Sequence, residues 1–222
     1  MQSSRWFLLC AIVAVSGLVT ADVVAVKLVS IFGYVVPGGA IIYPIAFIVD
    51  DLITEVYGYR AARRVIWFGL LANALFVLAA QIVLMLPAAS YWDAQQAYER
   101  ILGYTPRLLV GTFVSYVVGS FANSIVMSRM KVLTNGRALW SRTITSTIIG
   151  QGLDSLIFIT IAFIGTISLT QLSQVICTAW MFKSLYEIVF TPITYLVIAK
   201  LKQIEQSDIY DHHVDYNPFS LR

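Results

Sequence analysis

The sequence predicts an all-α, polytopic membrane protein of six crossings with both termini in the cytoplasm. Three observations predict it. Of 222 residues, 59% are hydrophobic and 12% charged, against roughly 25% charged in an average soluble domain. The apolar residues come in successive runs about as long as the ~20 residues a helix needs to cross the hydrocarbon. Finally, Lys and Arg are sorted. Arg5, Arg60, Arg63, Arg64, Arg129, Lys131, Arg137, Arg142, Lys200, Lys202 and Arg222 fall on one side of a six-span chain, and Arg100 and Arg107 on the other. Basic connections resist translocation, and an odd number of crossings would break this sorting. The net charge of +3 is too small to suggest nucleic acid; the expected surroundings are lipid.

The first crossing is expected at Trp6–Val29. Its Val-Thr-Ala before Asp22 looks like the end of a signal peptide, but the apolar character continues through Val23–Ile31 and further spans follow. Asp22 and Lys27, five apart, read as interfacial anchors. Ser30–Gly39 holds Gly33, Pro37, Gly38, Gly39 and no charge, so a tight turn is expected. The second crossing, Ala40–Tyr57, is short, polar towards its end and weakened by Pro44, which leaves a broken or re-entrant helix open. Val65–Leu86 is the third, with Asn73 and Gln81 as its amide side chains. Ala88–Pro106 mixes Tyr91, Trp92, Tyr98 and Tyr104 with Asp93, Glu99 and Arg100, a composition for the membrane surface and a short interfacial helix. The fourth crossing, Leu108–Met127, carries Gly111, Ser115 and Gly119 at steps of four, which lets helices approach closely. Thr143–Ile164 and Leu172–Ala199, the latter with Pro192, complete the six.

Residues 1–201 thus form one transmembrane domain and 202–222 a polar, flexible cytoplasmic tail containing His212 and His213. Two sets of three crossings, each with a polar second helix, hint at an inverted repeat. Cys10 and Cys177 lie in apolar runs without metal or disulfide spacing and read as small buried side chains.

Functional residues concentrate in Tyr43–Arg64, where an apolar run ends in Asp50, Asp51 and Glu55 before Arg60, Arg63 and Arg64. Asp51 and Glu55 share a helix face, from which Asp50 points away. Polar side chains within a span mark a functional site by default. The expected set is Asp51, Glu55, Ser120, Asn123, Gln151, Asp154, Lys183 and Glu187. Thr147, Gln151 and Asp154 share one stripe, and Lys183 and Glu187 stand at i and i+4. Two readings follow. Lys183 could bridge Asp154 or Glu187 in a self-satisfied network, or the set could line a cavity for a small hydrogen-bonding solute. Acids, amides and one amine suit a neutral or zwitterionic heterocycle better than a lone metal ion. HExxH, GxSxG, a P-loop and an intraspan histidine base are all lacking, so no enzyme, ATPase, cofactor or metal site is expected.

Within Phe47–Arg64 the run VDDLITEVYGYRAARR resembles the queuosine precursor transporter family, also called the vitamin uptake transporter family. STIIGQGLDSLIFITIAF (Ser146–Phe163) and FKSLYEIVFTPITYLVI (Phe182–Ile198) extend the likeness in order over nearly the whole chain. The resemblance implies a six-helix inner-membrane importer of 7-deazaguanines, namely the 7-cyano and 7-aminomethyl precursors or queuine, which feed queuosine modification of tRNA. It places the family's acidic segment on Asp51 and Glu55, its Gly-Gln-x-x-Asp on Gly150, Gln151 and Asp154, and its Lys-x-x-x-Glu on Lys183 and Glu187. Some relatives carry Gln and Asp where this chain has Ser120 and Asn123, which bears on substrate choice. For the flat ring, Tyr43, Phe158, Trp180 and Phe182 are the stacking candidates. The expected partners are the small-molecule substrate, the bilayer and, as an open option, a second copy of the chain. Two other classes stay open: the capture subunit of an energy-coupling-factor importer, and a structural membrane subunit.

Overall fold

The computed structural model describes residues 4–25, 27–31, 34–103 and 106–220; of the positions singled out above, Gly33, Tyr104 and Arg222 lie outside them. Helix α1 (Arg5–Ala25) is followed by a hairpin of β1 (Leu28–Ile31) and β2 (Tyr34–Pro37), a 3-10 turn at Gly38–Ile41, and α2 (Tyr43–Tyr57). Then come α3 (Tyr59–Met85), α4 (Gln95–Leu102), α5 (Pro106–Leu133), α6 (Leu139–Phe163) and α7 (Leu169–Glu205).

The chain is all-α in character, and five helices, α1, α3, α5, α6 and α7, are long and apolar enough to cross a membrane. Their outward faces suit lipid, with Phe68, Leu71, Leu75 and Leu78 on α3 and Met181, Leu185, Val189 and Leu196 on α7 all exposed. Helix α2 is different. Its 15 residues rise only about 22 Å, short of the ~30 Å hydrocarbon, and it is buried by its neighbours. Ala46, Phe47, Val49, Leu52, Ile53 and Val56 form the centre of the core. Everything polar on α2 is thereby also held inside protein.

Two expectations near α2 are corrected. The first helix ends at Ala25 rather than Val29, and Ser30–Gly39 is no tight turn: Val29 pairs with Val36 and Ser30 with Val35 in an antiparallel ladder. The valine and isoleucine content of this segment favours the pleated backbone, and its amide groups find partners across the hairpin. Expected helix Ala40–Tyr57 is divided between the 3-10 turn and α2.

Helices α5 and α6 approach closely at a glycine pair. A methyl group at Gly119 would come within 2.9 Å of Asp154 Cβ and 3.0 Å of the Gly150 carbonyl oxygen, and one at Gly150 within 2.8 Å of Asn123 Cβ. This contact sets Asn123 opposite Gly150 and, one turn away, Asp154 opposite Gly119. Helix α7 starts with a capping box, Ser168 Oγ accepting from Gln171 N and the Gln171 side chain from Ser168 N. It runs 37 residues, about 55 Å, through Pro192. A short helix, α4, with no buried residue, lies within the Ala88–Pro106 segment.

The tail departs furthest from expectation. Residues 206–220 fold back as a strap over the α2–α3 corner and the end of α5. At that corner Gly58 takes φ 79°, and a Cβ there would lie 3.0 Å from Asp211 Oδ1. Asp211 accepts from Tyr59 N at 2.8 Å and Ser128 Oγ at 2.7 Å. Arg63 donates to the carbonyls of Asp215 (3.2 Å) and Asn217 (2.9 Å), and Trp67 Nε1 to that of Pro218 at 2.9 Å. Tyr216 lies against Tyr59, with ring centroids 5.0 Å apart. The strap is held because its carbonyls and two of its carboxylates, Asp208 and Asp211, find donors on the helices, a complementarity that no periodicity in the tail announces.

Candidate functional site at the centre of the bundle

Helix α2 carries two acidic levels. At the lower one Glu55, fully buried, accepts from Arg142 Nε at 2.8 Å and Nη2 at 2.7 Å, and from Lys202 Nζ at 2.6 Å. Lys131 Nζ lies 3.6 Å from the same carboxylate and donates to the carbonyls of Glu55 and Ile209 at 2.5 and 2.7 Å. Asp208 of the strap closes the node, 2.6 Å from Lys131 and 2.8 Å from Lys202. Burial alone would raise the Asp208 carboxyl; the hydrogen bonds from Lys131 and Lys202 outweigh it and hold the group below its ordinary value. Helices α2, α5, α6, α7 and the strap meet here, and each of the three cations and two carboxylates has a partner of opposite charge.

One turn up, at Asp51, matching fails. Asp51 Oδ1 accepts from Asn123 Nδ2 at 2.7 Å, but Asp51 Oδ2 has no partner among the described residues, and neither have Asn123 Oδ1, Gln151 Oε1 and Glu187 Oε1. Glu187 is in electrostatic contact with Asp51. These four residues, from α2, α5, α6 and α7, are each at most 3% exposed. An unpaired buried acceptor costs about 1–3 kcal/mol, and these four oxygens find no protein donor among the described residues. Ser120 is buried on α5 beside them.

Above this level Lys183 Nζ reaches Asp154 Oδ2 at 2.6 Å and stands 5.1 Å from the Tyr43 ring centroid. Of the two partners open to Lys183, the structure selects Asp154. The Lys183 side chain is 22% exposed.

The structure therefore brings together Asp51, Asn123, Gln151, Asp154, Lys183 and Glu187, with Ser120 and Tyr43 adjoining, and puts Glu55 in the node instead. Trp180 and Phe158 are also elsewhere: Trp180 Nε1 donates to the Ile148 carbonyl at 2.9 Å on an exposed flank, and Phe158 packs against Gly111. Phe182 is half-buried. Sequence reasoning missed Asp22, which instead of anchoring at an interface accepts from Asn73 Nδ2 of α3 and is in electrostatic contact with Asp154 and Lys183. Asn73, an amide in an otherwise apolar span, was the signal. It also counted Arg142 as a loop charge, because α6 begins at Leu139 rather than Thr143.

A cavity of about 660 Å³ lies beside the hairpin, lined by Val23, Val24, Lys27, Ile41, Ile42 and Ile101, and another of about 340 Å³ by Val83, Trp92 and Tyr98. Both are apolar and apart from the polar residues; the chemistry belongs to the latter.

The family model described as "Putative vitamin uptake transporter" matches residues 37–197, which is more than half of the chain. Among curated proteins, the chain is 27% identical over 190 residues to the "Probable queuosine precursor transporter" of Bacillus subtilis, covering 85% of this chain and 83% of that protein. It is 28% identical over 135 residues to the "Queuosine precursor transporter" of Escherichia coli, covering 61% and 58%. The corresponding Haemophilus influenzae protein is 25% identical over 145 residues, covering 65% and 59%. Against these last two the chain thus spans less than two thirds of the relative's length. No solved structure matches the chain. The matched region contains both acidic levels of α2, the α5–α6 glycine contact and Lys183, and the chain belongs to the vitamin uptake transporter family as a multi-pass bacterial membrane protein.

Proposed function

We propose that the chain is a secondary carrier of the inner membrane that imports 7-deazaguanine precursors of queuosine for tRNA salvage. In this reading α2 with its 3-10 turn and hairpin completes six crossings as two sets of three, and both termini with the Glu55 node face the cytoplasm, in keeping with the basic connections. The observation that carries the reading is the convergence of partnerless acceptors, Asp51 Oδ2, Asn123 Oδ1, Gln151 Oε1 and Glu187 Oε1, from four helices. A 7-deazaguanine is rich in donors: an amino group and ring N–H on its guanine edge, and a pyrrole N–H opposite. Its carbonyl oxygen needs one donor, for which Lys183 is suited. Tyr43, already beside Lys183, is the aromatic surface nearest the ring. The names of the curated relatives support the same class of cargo. Asp154 orients Lys183 and shares in recognition; Ser120 lines the site.

The test is thermal stabilisation of the purified protein by 7-cyano-7-deazaguanine, 7-aminomethyl-7-deazaguanine, queuine and guanine, followed by exchange of the best binder across liposomes containing this chain alone. Stabilisation by at least one deazaguanine together with exchange is expected. Binding without exchange would reduce the chain to a capture subunit, and stabilisation by none would overturn the reading.

A further inference from the structure

The interior carries far more acid than base. Asp22 on α1, Asp50 and Asp51 on α2, Asp154 on α6 and Glu187 on α7 lie inside the bundle, and among the described residues Lys183, ion-paired with Asp154, is the ammonium that accompanies them. The other groups turned to this region are uncharged donors or acceptors: Asn73 from α3, Tyr116 and Asn123 from α5, Gln151 from α6 and Tyr43 from α2 itself. The nearest further cations, Lys131, Arg142 and Lys202, are committed to Glu55 and Asp208. A low-dielectric interior does not hold such an excess of carboxylates ionised; it takes up positive charge.

Asp50 is the group with least to hold its charge. It is 7% exposed, and among the described residues its carboxyl makes no hydrogen bond and no ion pair, while its backbone carbonyl accepts from Thr54 at 2.9 Å. It is in electrostatic contact with Asp51 and with Tyr43 and Tyr116, both of which also feel Asp22. Asp50 thus stands between the Asp22–Asp154–Lys183 level and the partnerless acceptors at Asp51 and Glu187. Those acceptors are an independent sign that the region expects to receive hydrogen-bond donors from outside the protein.

We infer that the carrier moves one proton inward with each cargo molecule and that Asp50 carries it. Water on the outer side gives up a proton and an O–H bond forms on the Asp50 carboxylate; on the cytoplasmic side that bond breaks and the proton returns to water. The inference rests on the carrier reading above but concerns its driving force.

The test uses full-length protein in liposomes, with the membrane potential clamped by potassium and valinomycin and 7-cyano-7-deazaguanine, an uncharged cargo, as probe. Exchange without any gradient reads the carrier function itself. An inward gradient of about one pH unit should then drive about tenfold accumulation at one proton per cargo. In Asp50→Asn, exchange should continue and accumulation should collapse to the ratio without a gradient. Should Asp50→Asn not fold, the wild-type arm alone decides. Exchange without gradient-driven accumulation in the wild type overturns the inference and leaves the carrier reading intact. So does accumulation driven by sodium, or confined to the cationic 7-aminomethyl compound under a membrane potential, in which case the cargo itself neutralises the acid. Full accumulation by folded Asp50→Asn removes Asp50 from the role.

Discussion

Asp51 and Glu55 stand one turn apart on the same short helix, both as buried carboxyls, and their surroundings could hardly differ more. Glu55 receives two donors from Arg142 and one from Lys202, with Lys131 3.6 Å away. Asp51 receives one amide and keeps one oxygen without a partner. Burial and charge therefore do not distinguish a structural from a binding carboxyl; the count of satisfied lone pairs does. The saturated node holds helices together; in the proposed function the unsaturated level is where the cargo supplies the missing donors.

The largest effect should come from breaking the saturated side. Glu55→Gln leaves three cations around a neutral amide and should cost about 3–5 kcal/mol, as expected when one partner of a buried ion pair is removed. Chemical unfolding in detergent would measure it. An unchanged midpoint would mean that the node contributes nothing net.

Asp51→Asn should give the opposite pattern. The new amide oxygen can still accept from Asn123, so stability holds, while a deazaguanine loses a charge-assisted acceptor worth about 2 kcal/mol, roughly 30-fold in affinity. If this variant loses as much stability as Glu55→Gln, the distinction between the two levels fails.

Gly150→Ala should blur the comparison by acting on both properties. Its methyl group would press on Asn123 Cβ at 2.8 Å and on the Gly119 carbonyl at 3.0 Å, an overpacking of about 1–3 kcal/mol. Because the same contact positions Asn123 and Asp154, binding should weaken together with unfolding resistance, as a thermal-shift series with and without cargo would register.

The smallest effect belongs to the strap. The Asp208 carboxyl is held below its ordinary value, so its contribution is complete above about pH 4, where the unfolded carboxyl is ionised, and is lost as pH falls further through the folded value. With Asp208 42% exposed, solvent screening keeps this below about 1 kcal/mol. Limited proteolysis of residues 206–220 should therefore accelerate only on acidification below that range and, in Asp208→Asn, be slightly faster at neutral pH.

The membrane character and the long helices were legible because each depends on composition and run length within a single segment. So was the small-residue seam of α5, since Gly111, Ser115 and Gly119 repeat along one face. What the sequence could not announce was pairing across segments. Glu55 and Asp51 look alike until Arg142, Lys131 and Lys202 arrive from three other helices. The tail read as flexible because its anchors, Tyr59, Arg63, Trp67 and Ser128, lie far away in the chain. Asp22 read as interfacial because Asn73, its partner, belongs to α3. The hairpin was hidden by glycines and a proline that also describe a turn.

The most direct test of the account is equilibrium binding of 7-cyano-7-deazaguanine to two folded variants of α7, Glu187→Gln from the unsaturated level and Lys202→Met from the node. The account predicts that Glu187→Gln weakens binding on the order of tenfold or more while Lys202→Met stays within about twofold of the wild type. Wild-type affinity in Glu187→Gln with a loss in Lys202→Met would contradict it and put the cargo at the Glu55 node.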